Sequence, residues 1–400
     1  IIMSNVAGAT LQLQASGNNV ILTENPEINL YKYRYYRHLN FATNYEQIQL
    51  NENIDWGKKA SFTIPYGGHL LNSLFLCISL PKLTATSGTF ASWSDIFGYS
   101  IFSEPIEFDI NGVIVERLYP NAMMIQDELN IPEQTTGINN MILRADMKDS
   151  SKFNAQERVD LVIPLKFWFT KKHTLALPIV AMKTSQIMRV SFKLREFKDC
   201  INYDGNTPPN SVNIIDAFSI ANYTFLDDTI LDAYINKEHF YIIDQVKDHG
   251  VEEVSAGTSV FKTHITNDVQ CKEMYIVCVP QSMIDTNNYF VFSYNSNPIL
   301  QKIELFFDNR QRFSFNELFY RTIVPYDTHT AVPLKYVYTI PFSLRPEDQQ
   351  PTGMADFTKF DDILLRVSLE DIPETCYLYI YELCYNFVKI SDGIITFTNW

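Results

Sequence analysis

The sequence lacks the short motifs that mark the common enzyme classes. It contains no GxxxxGK loop for phosphate, no GxGxxG after a strand, no HExxH pair for zinc and no GxSxG nucleophile turn. Its histidines are scattered without the spacing of metal ligands: His38, His69, His173, His239, His249, His264 and His329. These absences favour a structural or binding protein, so we expect no enzymatic activity, no cofactor and no metal site.

A run of basic residues is also missing. The chain carries 32 Lys and Arg against 46 Asp and Glu, which gives a formal net charge of −14. Proteins that hold nucleic acid electrostatically present clustered Lys and Arg to the phosphates. We therefore expect no direct contact with nucleic acid.

Long apolar runs are absent as well. The longest, residues 70–80, is interrupted by Asn72 and Ser73 and is far shorter than the ~18 residues of a membrane-spanning helix. The opening IIMSNVAGATLQLQ does not follow the pattern of a secretory signal. Six cysteines form no CxxC pair and fall mostly within apolar strand patterns: Cys77, Cys200, Cys271, Cys278, Cys376 and Cys384. We expect reduced thiols in the core and formation of the protein in a cytosol-like compartment.

Aromatic and apolar residues, by contrast, are abundant. The chain has 28 Phe and 23 Tyr and is 46% hydrophobic, a composition that suits strands better than helices. Short apolar runs bounded by Pro, Gly, Asn or Asp recur throughout. In residues 104–117, apolar and polar residues alternate around an Asn111-Gly112 turn, the pattern of a β-hairpin. Only two short helices are predicted, near 121–129 and 229–235, so we expect an all-β protein.

An internal repeat divides the chain into halves. Ile163-Pro164 matches Ile340-Pro341, and the strand MRVSF around Val190 matches LRVSL around Val367, each at a separation of 177 residues. A third match sets Ile106-Glu107 against Ile303-Glu304 at a separation of 197. Because 400 residues exceed one ordinary sandwich of roughly 100 to 200, we expect two β-sandwiches, each with its own core.

One late strand has no polar face. Alternation places four tyrosines on one side and apolar residues on the other: Tyr377, Tyr379, Tyr381 and Tyr385 against Cys376, Leu378, Ile380 and Cys384. A strand of this kind is expected to be covered on both sides.

Three other patterns have alternative functional interpretations. The interleaved aromatics and cations of YKYRYYRH, residues 31–38, resemble a stacking platform for nucleic acid, but packed aromatics and paired cations explain them more simply. Asp227-Asp228 and Asp361-Asp362 resemble a glycosidase carboxylate pair, yet neighbours in a strand point to opposite faces, so capping and turn roles are favoured. Asn222-Tyr223-Thr224 fits a glycosylation sequon but lies within a predicted strand.

Four segments together resemble the major capsid proteins of nucleocytoplasmic large DNA viruses. They are residues 8–42, 163–182, 223–243 and 345–362, and the likeness extends from residue 8 to residue 400. The opening segment carries Asn25, Pro26, Arg37, His38 and Phe41 of the family signature. The late segment carries Gln350, Pro351, Gly353, Phe357 and Asp361.

The resemblance implies a double jelly roll, that is, two tandem eight-stranded antiparallel jelly-roll sandwiches with few short helices. We predict an N-terminal arm over 1–24, a first jelly roll over 25–227, a linker helix over 228–237 and a second jelly roll over 238–400. It further implies a homotrimer that contacts neighbouring capsomers, minor capsid proteins and, near the arm, an internal membrane. The rival interpretations are a minor or penton component of such a virion and a carbohydrate-binding or glycosidase sandwich.

Overall fold

A computed structural model describes residues 4–15, 24–25, 35–88, 90–130, 135–144, 158–235, 237–266 and 268–398. The chain divides into two compact units, residues 1–40 and 41–400. The first unit contains helix α1, Ser4–Ala15. The second unit contains all the strands described below.

The strands of the first half form one jelly roll. Their bounds are β1 Phe41–Gln49, β2 Lys59–Ile64, β3 Leu70–Leu80, β4 Ala91–Trp93, β5 Ile106–Ile110, β6 Val113–Leu118, β7 Val159–Pro164, β8 Met188–Lys193, β9 Ile201–Tyr203 and β10 Asp216–Leu226. Two four-stranded antiparallel sheets have the orders β1-β10-β3-β7 and β2-β8-β5-β6, and β4 pairs with β9. Asn111 and Gly112 both have positive φ (53° and 81°), so the predicted hairpin turn between β5 and β6 is confirmed.

The second half repeats this topology. Its strands are β11 His239–Val254, β12 Val260–His264, β13 Gln270–Pro280, β14 Ser293–Tyr294, β15 Asn297–Pro298, β16 Leu300–Phe307, β17 Arg310–Asn316, β18 Tyr338–Pro341, β19 Ala355–Asp356, β20 Ile363–Leu369, β21 Cys376–Ser391 and β22 Ile394–Thr398. The orders β11-β21-β13-β18 and β12-β20-β16-β17 correspond strand for strand to those of the first half. The double jelly roll expected from the sequence is confirmed.

Helices are few and short. Beyond α1 they are α2 Phe97–Ser100, α3 Pro120–Leu129, α4 Thr135–Met141, α5 Asp228–Ile235, α6 Gln281–Asp285 and α7 Val324–Thr328, with a π-helical turn at Phe319–Ile323 and 3₁₀ turns at Trp168–Thr170, His173–Leu175, Ile179–Ala181, Phe197–Cys200 and Phe357–Lys359. The two predicted helices are confirmed as α3 and α5. At the start of α5 the Asp227 carbonyl accepts from the Ile230 and Leu231 amides, while its carboxylate accepts from the Thr229 hydroxyl. A capping bond from a backbone amide to either the Asp227 or the Asp228 carboxylate stays a prediction.

Sheet registers test the repeat residue by residue. Val190 opposes Phe108, and Val367 opposes Ile303, so the matched strands β8 and β20 lie in equivalent places. Ile163 of β7 and Ile340 of β18 likewise lie in the outermost strands of corresponding sheets. Two of the three sequence matches are therefore confirmed.

The third match is wrong by two residues. Arg189 pairs with Asp109 and Arg366 pairs with Glu304, with Nε–carboxylate distances of 2.9 and 3.4 Å. Glu304 is thus the counterpart of Asp109, not of Glu107. Each hairpin contains a β-bulge and β16 is longer than β5, so matching the turns does not fix the register of the strands before them.

Two apolar clusters fill the protein. One lies inside the second jelly roll and includes Ile276, Leu378 and Ile380. The other fills the first jelly roll and continues onto the outer face of β13 and β21, where it includes Val277 and Tyr381. The prediction that β21 is covered on both faces is confirmed, and the two jelly rolls share an apolar junction.

Candidate functional site

The two jelly rolls meet at a junction that contains aromatic, apolar and charged side chains. Aromatic rings from both halves meet there: Tyr119 lies 5.7 Å from Tyr381 and Trp168 lies 5.7 Å from Tyr241, measured between ring centroids. Tyr119 and Trp168 follow strands of the first half, whereas Tyr241 and Tyr381 lie on β11 and β21. Burial of large rings at this boundary stabilises a fixed arrangement of the two jelly rolls.

Partly buried polar bonds cross the same junction. The Lys171 ammonium of the first half donates to the Asp244 carbonyl of the second at 3.1 Å, and Gln245 Nε2 donates to the Val115 carbonyl at 2.9 Å. The Asp244 carboxylate accepts from Lys272 at 3.0 Å, and Lys272 also donates to the Asp348 carbonyl at 2.6 Å. Burial lowers the pKa of Lys272, and Asp244 opposes that effect.

His329 lies between two carboxylates beside the junction. Its Nε2 is 2.7 Å from Glu273 Oε1 and its Nδ1 is 3.3 Å from Glu347 Oε1. Burial alone would lower the pKa of His329, but Glu273 and Glu347 outweigh it and raise the pKa to about 9. The ring is therefore charged at neutral pH and ties the end of α7 to β13 and to the loop after β18.

The segment after His329 reaches the first jelly roll. The Ala331 amide donates to the Leu129 carbonyl at 2.9 Å, and the Leu334 amide donates to Glu128 at 3.0 Å. Glu128 in turn pairs with the buried Arg144 at 2.5 Å. A chain of charged and polar groups thus continues from β13 to α3.

Two buried carboxyl groups have strongly raised pKa values. Burial raises the pKa of Glu116 to about 7, although Lys171 and the Trp168 amide oppose it. Burial also raises the pKa of Glu382 to about 8, against the opposing effect of Lys247. Glu116 accepts from the Trp168 amide at 2.9 Å, whereas neither carboxyl oxygen of Glu382 has a hydrogen-bond partner.

Among the exposed apolar side chains of the described residues, two groups lie on β1 and on the connection from β17 to β18. On β1, an outer strand of its sheet, Phe41 and Tyr45 are 62% and 64% exposed. On the connection from β17 to β18, the exposed apolar residues are Leu318, Ile323, Tyr326, Val332 and Leu334. Exposed apolar surface of this kind marks sites of protein association.

The opening signature residues lie in or beside the N-terminal unit. Asn25 has a positive φ of 54°, and Pro26 lies outside the described residues. Arg37 and His38 are exposed, and His38 Nδ1 is 3.0 Å from the Leu39 carbonyl. Phe41 begins β1, so the first strand of the first jelly roll starts sixteen residues after the predicted boundary at Asn25.

The late signature residues lie in and after the loop that follows β18. Gln350 and Pro351 are exposed in a loop, and Gly353 has a φ of 137° that L side chains rarely adopt. Phe357 is fully buried and packs edge-on against Phe342, with 5.5 Å between centroids. Gly353 also lies close to Phe342, since a Cβ on Gly353 would be 3.1 Å from the Phe342 carbonyl oxygen. Both signature residues therefore contact Phe342.

The Asp361-Asp362 pair lies at a turn. The amides of Asp361 and Asp362 both donate to the Asp308 carboxylate, at 2.8 and 3.0 Å, and the Asp362 carboxylate lies 2.6 Å from His264 Nδ1. This agrees with the turn role preferred from the sequence. The sequon residue Asn222 is 7% exposed within β10, as its strand pattern predicted.

The account of YKYRYYRH was wrong for its described part. Tyr35 and Tyr36 are 85% and 96% exposed rather than packed, and residues 31–34 lie outside the described residues. The sequence reasoning also missed the group around His329. The signal in the sequence for this group is the adjacent Lys272-Glu273 within a largely apolar strand. Charged residues in such a strand indicate buried charged partners.

The described residues contain no group of metal-ligating side chains and no membrane-spanning helix. Across the described ranges, no three His, Cys, Asp or Glu side chains are grouped as a metal site would require. Within the same ranges, no helix combines the length and apolar character needed to span a bilayer. All six cysteines are buried free cysteines, in agreement with the core positions predicted for them.

Both halves of the chain are similar to known viral capsid proteins. A family model for the N-terminus of major capsid proteins matches residues 29–230, and one for large eukaryotic DNA virus major capsid proteins matches residues 232–396. The chain is 23% identical to the major capsid protein of Phaeocystis pouchetii virus, over 97% of this chain and 99% of that protein. It is 22% identical to that of Paramecium bursaria Chlorella virus 1, over 91% and 87%.

Solved structures show the same fold. PBCV-1 VP54, fitted into a reconstruction of the virophage Sputnik, superposes with a TM-score of 0.80 at 18% identity, covering 92% of this chain and 99% of that one. The Faustovirus major capsid protein gives a TM-score of 0.76 at 13% identity, covering 98% and 99%. With matching family models over both jelly rolls, the chain belongs to the major capsid proteins of large eukaryotic DNA viruses.

Proposed function

We propose that three copies of the chain associate about a three-fold axis into a pseudo-hexagonal capsomer, and that many such trimers tile the icosahedral shell of a large DNA virus. The observation that carries this proposal is the shared apolar junction, which fixes two jelly rolls of the same topology against each other. Two rigidly joined jelly rolls per copy turn three-fold symmetry into a nearly six-fold outline. Such blocks can cover the flat facets of a large shell.

The two exposed apolar surfaces support a contact between copies. One is β1 with Phe41 and Tyr45, and the other is the connection from β17 to β18 with Tyr326. An obligate trimer is expected to bury ~2,000 Å² or more per interface, mostly apolar. We propose that these surfaces supply part of that area.

Light scattering of the purified 400-residue chain tests the trimer. We expect a mass three times the 46.3 kDa of one chain, at micromolar concentration. The variants Tyr45→Asp and Tyr326→Asp should shift the protein toward monomer because they place a charge in the contact. Leu344→Asp, at a residue of similar exposure to Tyr326, is the matched control and should remain trimeric. A stable monomer of the unmodified chain, or a dimer or pentamer, would overturn the proposal.

The N-terminal arm is proposed to lie toward an internal membrane. No charged residue occurs before Glu24, and Leu11 and Leu13 of α1 are 66% and 77% exposed. Uncharged apolar surface partitions into the interface of a bilayer. Flotation with neutral phosphatidylcholine vesicles should recover the full chain, and Leu11→Asp with Leu13→Asp should abolish recovery. Equal recovery of both proteins, or of neither, would contradict this role.

The remaining partners and location follow from the shell proposal. We propose contacts with neighbouring capsomers and minor capsid proteins, assembly in the host cytoplasm, no direct binding of nucleic acid, and no enzymatic activity. The rivals are a minor or penton component of the virion and, from another class, a carbohydrate-binding sandwich. Counting copies in purified virions separates the first rival, since a thousand or more copies support the shell role and a dozen pentamers refute it. Binding on a glycan array would favour the second.

A further inference from the structure

Four of the six cysteines lie on two neighbouring strands of the second jelly roll. Cys271 and Cys278 are on β13, and Cys376 and Cys384 are on the adjacent β21. All four side chains belong to the apolar cluster inside the second jelly roll, and the strand register places Cys271 beside Cys384 and Cys278 near Cys376. The sheet therefore holds two pairs of neighbouring cysteines.

The strand register distinguishes the two pairs. Cys271 is directly opposite Cys384. Cys278 is opposite Leu378, whereas Cys376 is opposite Pro280, so that pair is diagonal. Directly opposed residues in antiparallel strands have Cα atoms ~4.5–5.5 Å apart, within the ~4.4–6.8 Å that a disulfide spans. Diagonal neighbours are ~7–8 Å apart, so a disulfide there needs the backbone to move.

Access also differs between the pairs. Cys384 lines a cleft of about 330 Å³ between β6 of the first jelly roll and β11 and β21 of the second, with Val115, Lys247 and Asn386 around it. A molecule near the size of water, whose share of liquid volume is ≈ 30 Å³, fits such a cleft. Cys278 does not line the cleft and is 1% exposed.

We propose that Cys271 and Cys384 are an oxidisable pair, which a small peroxide entering this cleft converts into a disulfide across the two central strands of the second jelly roll. Peroxide oxidises the Cys384 thiolate to sulfenic acid, and one peroxide oxygen leaves as hydroxide, which takes up a proton to become water. The Cys271 sulfur then attacks the sulfenic sulfur and releases its oxygen as a second water. Two thiols and one hydrogen peroxide thus give one disulfide and two waters.

A buried carboxyl group lies on the same strand as Cys384. Cys271 must lose its proton to attack, and burial keeps that thiol protonated by raising its pKa. Glu382 is two residues before Cys384 on the same face of β21, and its two carboxyl oxygens have no hydrogen-bond partner. Burial raises the pKa of Glu382 to about 8, so its carboxyl can take up the Cys271 proton only above that pH.

The disulfide would hold β13 and β21 together covalently. A disulfide that closes a loop of about a hundred residues restricts the unfolded chain strongly. Inside a reducing cell the pair stays as thiols, and oxidising surroundings close it. This timing rests on the proposed function, but formation of the bond does not.

Thiol mapping of the full-length protein tests the proposal. Folded protein is treated with hydrogen peroxide, its remaining thiols are alkylated in denaturant, and the peptides are identified by mass spectrometry. We expect a Cys271–Cys384 linked peptide, four alkylated cysteines instead of six, and a thermal midpoint several degrees above that of the reduced protein. Cys376→Ser is the matched control and should still form the linked peptide, whereas Cys384→Ser should not.

Three outcomes would overturn the proposal. They are six alkylated cysteines after treatment, a link between Cys278 and Cys376, and sulfinic acid at Cys384 without a link. The unmodified chain alone distinguishes these outcomes, so the test does not depend on the folding of either variant. The peptide map is the same whether the protein is a monomer or a trimer. Failure of this proposal can therefore be distinguished from failure of the proposed function.

Discussion

Corresponding sheets of the two jelly rolls differ in what covers their outer faces. The equivalence of Ile163 and Ile340 makes Leu76 of β3, which opposes Ile163, the counterpart of Met274 of β13, which opposes Ile340. The outward neighbours are then Cys77 and Ser79 on β3 but Tyr275 and Val277 on β13. Only the second pair belongs to the apolar junction. The sheet that contains β13 therefore packs against the other jelly roll through these residues, whereas the corresponding sheet that contains β3 does not.

This difference explains how two copies of one fold can pack against each other in a single chain. Topology fixes which strands pair, and the outward residues of those strands decide which sheet packs against a neighbour. Small and polar outward residues on β3 bond locally, for example Ser79 to Asp160 at 2.6 Å. Large apolar outward residues on β13 and β21 cover the first jelly roll. Substitutions at equivalent positions of β3 and β13 should therefore have unequal effects on stability.

The largest effect is expected at Tyr275. Tyr275→Ala removes a 3%-exposed ring from the junction and should lower the free energy of unfolding by ~3–5 kcal/mol, because a cavity remains. The matched change at the equivalent outward position, Cys77→Ala, should cost about 1 kcal/mol or less, because it removes a single sulfur atom. Urea denaturation measures both. Equal losses would show that the outer faces are energetically alike.

The next effect concerns His329. Its pKa is raised from 6.5 to about 9 in the folded protein, so its contribution to stability is complete below pH 6.5 and is lost as the pH rises through about 9. The shift corresponds to ~3 kcal/mol. His329→Gln should remove this dependence and destabilise the protein at pH 7. The matched control is His264→Gln, because the His264 side chain is 70% exposed beside Asp362.

Denaturation midpoints from pH 6 to pH 10 measure the effect. If the midpoint of the His329→Gln protein changed with pH as that of the unmodified chain does, the ion pairs of His329 with Glu273 and Glu347 would not be the source of this pH dependence.

Glu382 and Glu116 offer a smaller contrast between the jelly rolls. A carboxyl whose folded pKa is raised destabilises the protein increasingly as the pH rises from 4.5 to that value, about 8 for Glu382 and about 7 for Glu116. Glu382→Gln should therefore raise the free energy of unfolding at pH 8.5, by on the order of 2 kcal/mol. Glu116→Gln should gain less, since Glu116 already accepts from Trp168. A destabilised Glu382→Gln protein at pH 8.5 would contradict this reasoning.

The smallest effect compares two glycines with positive φ. Gly353→Ala should cost ~2 kcal/mol, because its φ is 137° and a Cβ would lie 3.1 Å from the Phe342 oxygen. Gly112→Ala, at φ 81° with open space around it, should cost ~1 kcal/mol. Thermal denaturation ranks the two. A greater loss at Gly112 would show that the late signature loop tolerates a side chain.

Much of the fold follows from local patterns in the sequence. Alternation and turn residues predicted the β5–β6 hairpin, and repeated strands such as that of Val190 and Val367 predicted two equivalent sandwiches. The two-sided burial of β21 was readable because its residues have no polar face. These features are visible because they depend on residues close in sequence or on a direct repeat.

The rest depends on contacts that no local pattern encodes. The bulges in the two hairpins shifted the register and made the Glu107–Glu304 match wrong. The group around His329 brings together α7, β13 and the loop after β18, so only the tertiary structure reveals it. The predicted domain boundaries and the roles of the signature residues, such as Asn25 and Gln350, remain predictions.

Native-state hydrogen exchange measures whether the two jelly rolls, joined by the shared junction, unfold as one cooperative unit. Amides of β3 in the first jelly roll and of β13 in the second are followed in increasing denaturant. We predict that both sets exchange with the same opening free energy and the same denaturant dependence, because the two halves unfold together. If β3 stays protected under conditions where β13 exchanges, or the reverse, the jelly rolls are independent units and the claim is wrong.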